Sequence, residues 1–182
     1  ADHFEQGNRS ILHAQINHYR SGDLKYAGNT YKICNGPINF ASSSTSKIAS
    51  VGTNREIILL DTQNLQLQAL YREFEHQVSI QGANSSPEAL FNQVLKFSNA
   101  KITNTDFDPS LAPKETVNIG GINQQLAVYP LERITEIKTG VCRHHAFFIG
   151  FLLGEYVKRH EIRTGTLSIH HCRDSWVDAI QG

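Results

Sequence analysis

The stretch Gly140-Val141-Cys142-Arg143-His144-His145-Ala146-Phe147-Phe148-Ile149-Gly150-Phe151-Leu152-Leu153 decides how this chain is read. From about Val141 to His160 its apolar residues go nearly all the way round a helical projection, which marks a central buried helix rather than a surface one. Cys142 falls in the first turn of that helix. There the backbone N–H groups lack intrahelical partners and the positive end of the macrodipole lies close by. Both favour thiolate over thiol, and the adjacent Arg143, His144 and His145 are expected to lower the thiol pKa further. The same N–H groups suit an oxyanion hole. Cys142 is therefore the candidate nucleophile.

Around this helix the chain reads as α+β. Upstream, Leu12, Ile16 and Tyr19 sit at helical spacing in residues 9–20, and Ser21-Gly22-Asp23 stops them. Short strands follow at Leu24–Ala27 and Thr30–Cys34, with Gly28-Asn29 as the hairpin signal. A polar loop at 41–46 precedes a buried strand at Arg55–Leu60. Thr62–Val78 carries the stripe Leu67, Leu70, Tyr71, Phe74, Val78. In the next helix Ser86 caps, Pro87 takes the first position, and Leu90, Phe91, Val94 and Leu95 form the expected buried face. Residues 104–115 read as a loop. Gly120-Gly121 closes a hairpin that Pro130 ends, and strands are expected at Thr166–His170 and Trp176–Ile180. One domain of 182 residues is expected, with residues 1–129 as an N-terminal part of unknown role and 130–182 holding the nucleophile helix and first strands.

Composition excludes several classes of function. Lys+Arg and Asp+Glu balance at 17 each, so the chain lacks the basic footprint of a general nucleic-acid binder or a polybasic membrane patch. No apolar run approaches the roughly 20 residues of a membrane span, and Ala1-Asp2-His3-Phe4-Glu5 has no signal-peptide character. A soluble protein is expected. Methionine is absent even at position 1, so the chain reads as a processed or excised piece. Cys34, Cys142 and Cys172 are odd in number and far apart, which is not a disulfide framework. Cys34 and Cys172 read as small buried hydrophobes. For metal, His144, His145, His170, His171, Cys172 and Asp174 are the available donors. None shows a zinc-site spacing, so neither metal nor cofactor is expected.

The run from Leu131 through Gly140-Val141-Cys142-Arg143-His144-His145-Ala146 to Leu153 resembles the nucleophile segment of the transglutaminase-like superfamily, where Gly-x-Cys-Arg opens a long apolar helix. The resemblance is closest to transglutaminase-like domains of secreted bacterial effectors and covers residues 130–180. It implies a papain-like fold, with the cysteine helix packed on an antiparallel sheet and a Cys-His-Asp triad. The implied activity is thioester-forming acyl transfer on protein amides, as transglutaminase, deamidase or thiol protease, acting on a protein or peptide substrate such as a host-cell protein after secretion into that cell. This chain departs from the pattern at the histidine, because Arg173-Asp174-Ser175-Trp176-Val177-Asp178 contains none. Three readings stand open. The histidine and aspartate strands lie beyond Gly182; or His171 (or His170) serves as the base, oriented by Asp174 or Asp178; or the domain binds protein without catalysis.

Overall fold

The structure is a computed structural model that describes residues 22–34, 38–41, 46–52, 55–105, 113–160, 167–171 and 176–180. The helix expected at residues 9–20 lies outside them. In chain order the described elements are β1 (Asp23–Tyr26), β2 (Asn29–Ile33), β3 (Ile38–Asn39), β4 (Lys47–Ser50), β5 (Ile57–Asp61), α1 (Leu65–Gln81) and α2 (Pro87–Lys101). There follow β6 (Thr103–Asn104), β7 (Lys114–Ile119), β8 (Ile122–Pro130), α3 (Leu131–Ile137), β9 (Thr139–Gly140), α4 (Cys142–Arg159), β10 (Leu167–His171) and β11 (Trp176–Ile180). The fold is mixed α+β. Its internal contacts divide it into two interleaved units, one with residues 1–35, 47–60 and 108–130, the other with 36–46, 61–107 and 131–182. Pro130–Leu131, beside the boundary read from the sequence, is one of the places where the chain passes between them.

The first unit is a closed six-stranded barrel in the order β1-β2-β4-β5-β8-β7. Closure comes from Leu24 of β1 pairing with Ile119 of β7. Alternate residues point inward, so Leu24, Tyr31, Ile33, Ile57, Leu59, Val117, Ile119 and Val128 fill the interior. Both hairpins turn on two residues of positive φ, the geometry that matches the twist of the flanking strands. Gly120 (φ 60°) and Gly121 (φ 87°) meet this without a Cβ penalty, as expected. The first hairpin turns one residue earlier than its dipeptide signal suggested, on Ala27 (φ 49°) and Gly28 (φ 80°), with Tyr26 opposite Asn29. The sequence reading contained no barrel. Two of its pairings, β2–β4 and β5–β8, are parallel, join distant segments, and so leave no turn signal.

The second unit holds the helices. Asn64 Oδ1 accepts the N–H groups of Gln66 and Leu67 to open α1, and Ser86 Oγ accepts that of Ala89 to open α2 ahead of Pro87. Tyr71, Phe74, Phe97, Phe148 and Phe151 are fully buried. Their rings connect α1, α2 and α4, with Phe74 to Phe97 at 5.6 Å and Phe97 to Phe148 at 6.0 Å between centroids. On α2 the buried face is Val94, Phe97 and Ser98, whereas Leu90, Phe91 and Leu95 are only half-buried, so the stripe is rotated from the expected one. The segment after Pro130, which carries no clear sequence signal of its own, forms α3. As expected, α4 is buried along most of its length from His144 to Tyr156. It packs on α1, α2 and α3 and on β10 and β11. Gly154 lets it approach the chain at Phe40: a Cβ there would lie 2.5 Å from the Phe40 carbonyl oxygen. The three-stranded sheet of this unit is antiparallel, in the order β11-β10-β3. Within the described residues no helix is long and apolar enough to cross a membrane.

Candidate functional site

The N-terminus of α4 is built by the residues that precede it. β9 pairs in parallel with β6, placing Asn104 opposite Gly140, and the Thr105 N–H donates to the Gly140 carbonyl at 3.2 Å. A Cβ at Gly140 would fall 2.9 Å from Ile102 Cγ2 and 3.0 Å from His144 Nδ1, so only glycine fits. Val141 is the N-cap in extended conformation. It has no side-chain acceptor, and His144 compensates from inside the helix. The Val141 N–H donates to His144 Nδ1 at 3.0 Å, while the His144 N–H donates to the Val141 carbonyl at 2.9 Å. An imidazole thus does what the glutamate of a capping box does. Accepting at Nδ1 makes this ring neutral, with its proton on Nε2.

Cys142 is the first residue of this 18-residue helix, half-buried, with a free thiol. Arg143 beside it is half-buried as well. The two histidines do not do what the sequence reading asked of them. Both are fully buried. His144 is the neutral cap just described. His145 Nδ1 lies 2.7 Å from Ser98 Oγ on α2, and burial, followed by the neighbouring His144, pushes its pKa down to about 4. Neutral imidazoles add no positive charge beside Cys142, against the expectation for these two residues. The physical reason is the apolar α4 itself, which turns positions 144 and 145 inward.

β10 and β11, against which α4 packs, carry the other candidates. Their register sets His171 opposite Trp176, His170 opposite Val177 and Ile169 opposite Asp178. Opposed residues share a face and neighbours alternate. His171 and Asp178 therefore lie on one face of the ribbon and His170 on the other. Asp174 and Cys172 fall outside the described residues. Cys34, expected to be buried, is only half-buried; its Sγ lies 3.7 Å from the Lys32 carbonyl and partial burial raises its pKa. Among the described residues no three His, Cys, Asp or Glu side chains are grouped to hold a metal ion.

A second polar constellation lies at the surface, where His76 and His160 are both exposed. At the far end of α4 the Tyr71 hydroxyl donates to Glu75 Oε2 at 2.6 Å, and His160 Nε2 lies 3.1 Å from the same oxygen. The Tyr71 hydrogen bond, more than His160, holds the Glu75 carboxyl below its ordinary pKa, while burial and Glu75 push the Tyr71 phenol up. The His160 ring stacks on Tyr156, centroids 4.1 Å apart. At 1.5 Å per residue, α4 separates this pair from Cys142 by about 27 Å, so His160 cannot serve the thiol. The i, i+4 spacing of Tyr71 and Glu75 was visible in the sequence; their meeting with α4 was not. No family, characterised protein or solved structure matches the chain.

Proposed function

We propose that this protein is a cysteine-dependent acyl-transfer enzyme acting on protein or peptide amides, with Cys142 as nucleophile. The observation that carries the reading is the half-buried Cys142 opening a helix that is buried along most of its length, with an N-cap, Val141, that makes no side-chain cap hydrogen bond. In the reaction the sulfur bonds to the amide carbonyl carbon, and charge on the carbonyl oxygen is met by the Cys142 backbone N–H at the head of the helix. The C–N bond then breaks, the amine leaves with a proton, and the thioester passes its acyl group to water or a second amine. A papain-like arrangement is the finer fold that this chemistry calls for. The packing of α4 on the antiparallel sheet β11-β10-β3 supports it. His171 with Asp178 is the base and carboxylate pair we assign, because the β10–β11 register puts them on one face.

One observation favours a second reading, a protein-binding domain without catalysis: the two histidines nearest Cys142 in sequence are buried and neutral. Alkylation by iodoacetamide across pH, followed by mass spectrometry, separates the two. An activated Cys142 reacts about tenfold or more faster than Cys34 at pH 7. Equal rates would remove the enzyme reading and leave the binding domain. Release of ammonia from a glutamine peptide, with hydroxylamine as acceptor, then tests the chemistry directly.

A further inference from the structure

The second unit contains a cavity of about 340 Å³. It is lined along one face of α1 by Arg72, Glu75, His76 and Ser79, which recur at i, i+3, i+4 and i+7. Asn84, from the 3₁₀ turn Ala83–Ser85, and His160 complete its polar lining. Its volume is that of a small-molecule site, and apolar contact comes from Val78 and Tyr156.

The hydrogen-bonding groups around this cavity are unequally committed. Glu75, the one carboxylate that lines it, already accepts at Oε2 from the Tyr71 hydroxyl and faces His160 Nε2 there. With Nε2 so engaged and the ring stacked on Tyr156, His160 is held in one orientation, its Nδ1 without a protein partner among the described residues. Within the same described residues the Arg72 guanidinium makes no hydrogen bond or ion pair, in contrast to Arg159, which bonds Gln68 and Glu155. The His76, Ser79 and Asn84 side chains are likewise uncommitted there. The lining thus offers a permanent cation, Arg72, and several side chains able to donate, while its one carboxylate, Glu75, stays ionised with Oε2 engaged by Tyr71 and faced by His160. The complement of such a lining is a ligand rich in acceptors and negative in charge.

We infer that this cavity is a binding site for a small molecule bearing an oxyanion group, phosphate or carboxylate, with Arg72 supplying the charge and His160, steadied by Glu75 and Tyr156, an oriented polar contact. The site is independent of Cys142 and stands whether or not the acyl-transfer reading does.

The test titrates the full chain with inorganic phosphate and, separately, with acetate at constant ionic strength, read by amide chemical shifts. Saturable shifts in the millimolar range, confined to residues around 72–84 and 156–160, are expected for at least one anion, and the stronger of the two identifies the group. Arg72→Gln should weaken binding about tenfold or more. Lys101→Gln, on a different cavity, should leave it unchanged. Because Arg72 has no partner to lose within the described residues, the Arg72→Gln chain should unfold at the same urea concentration as the parent, which separates loss of ligand from loss of fold. Shifts that fail to saturate for both anions, or that survive Arg72→Gln, overturn the inference.

Discussion

Acidification should destabilise this protein through His145. The ring is fully buried, hydrogen-bonded to Ser98, and has its pKa pushed down to about 4, against 6.5 for a free histidine. Below pH 6.5 the unfolded chain takes up a proton that the folded chain refuses until about pH 4. Stability is fully present above pH 6.5 and is lost as pH falls toward 4. At about 1.4 kcal/mol per pH unit, that interval amounts to about 3 kcal/mol, a large share of a small domain's total. The comparison that isolates it is the double variant His145→Phe, Ser98→Ala, which replaces both partners by apolar groups and strands neither. Urea unfolding at half-unit steps from pH 7.5 to 4 should show the parent losing stability relative to the variant by that amount. The His145 ring protons should not titrate above pH 5. Parallel pH profiles for the two chains, or an imidazole that titrates near 6.5, would refute the reasoning.

Other outcomes follow from the same packing. Gly154→Ala should destabilise by about 1–2 kcal/mol in urea unfolding: the Cβ collides with the Phe40 backbone at a cost that exceeds the roughly 1 kcal/mol alanine gains in an open helix, and a more stable variant would contradict the close approach. Cys142→Ala should abolish ammonia release from the glutamine peptide while changing stability by less than about 1 kcal/mol, since the thiol is only half-buried; an unfolded variant would make Cys142 a packing residue. Glu132→Gln should stabilise the protein at pH 7 and lose that advantage near pH 4. Burial, with Asp61 and Glu136 behind it, raises the Glu132 pKa, and its Oε2 is buried without a hydrogen-bond partner among the described residues, so the ionised form is the costly one.

Local pattern carried far for the helices and hairpins. The capped start at Ser86–Pro87, the turn at Gly120-Gly121 and the two strands before Ile180 all belong to residues within a few positions of one another, where propensity and sterics act directly. The apolar run after Cys142 was enough to make α4 the buried centre of its unit, and so to put the thiol at a helix start. The same run misled about His144 and His145, because a helix that is apolar all round has no solvent face on which to display them.

The amino-acid order by itself determined the long helices, the two-residue hairpin at Gly120-Gly121, the cap at Ser86 and the place of Cys142 at the head of α4. Tertiary structure alone decided the six-stranded barrel, the two units threaded through one chain, the neutral burial of His145 against Ser98, and the cavity that Arg72, Glu75 and His160 line. Each joins residues far apart in sequence, by parallel pairing or side-chain packing. No spacing rule reaches such contacts, since their free energy depends on which distant surfaces the folded chain brings together.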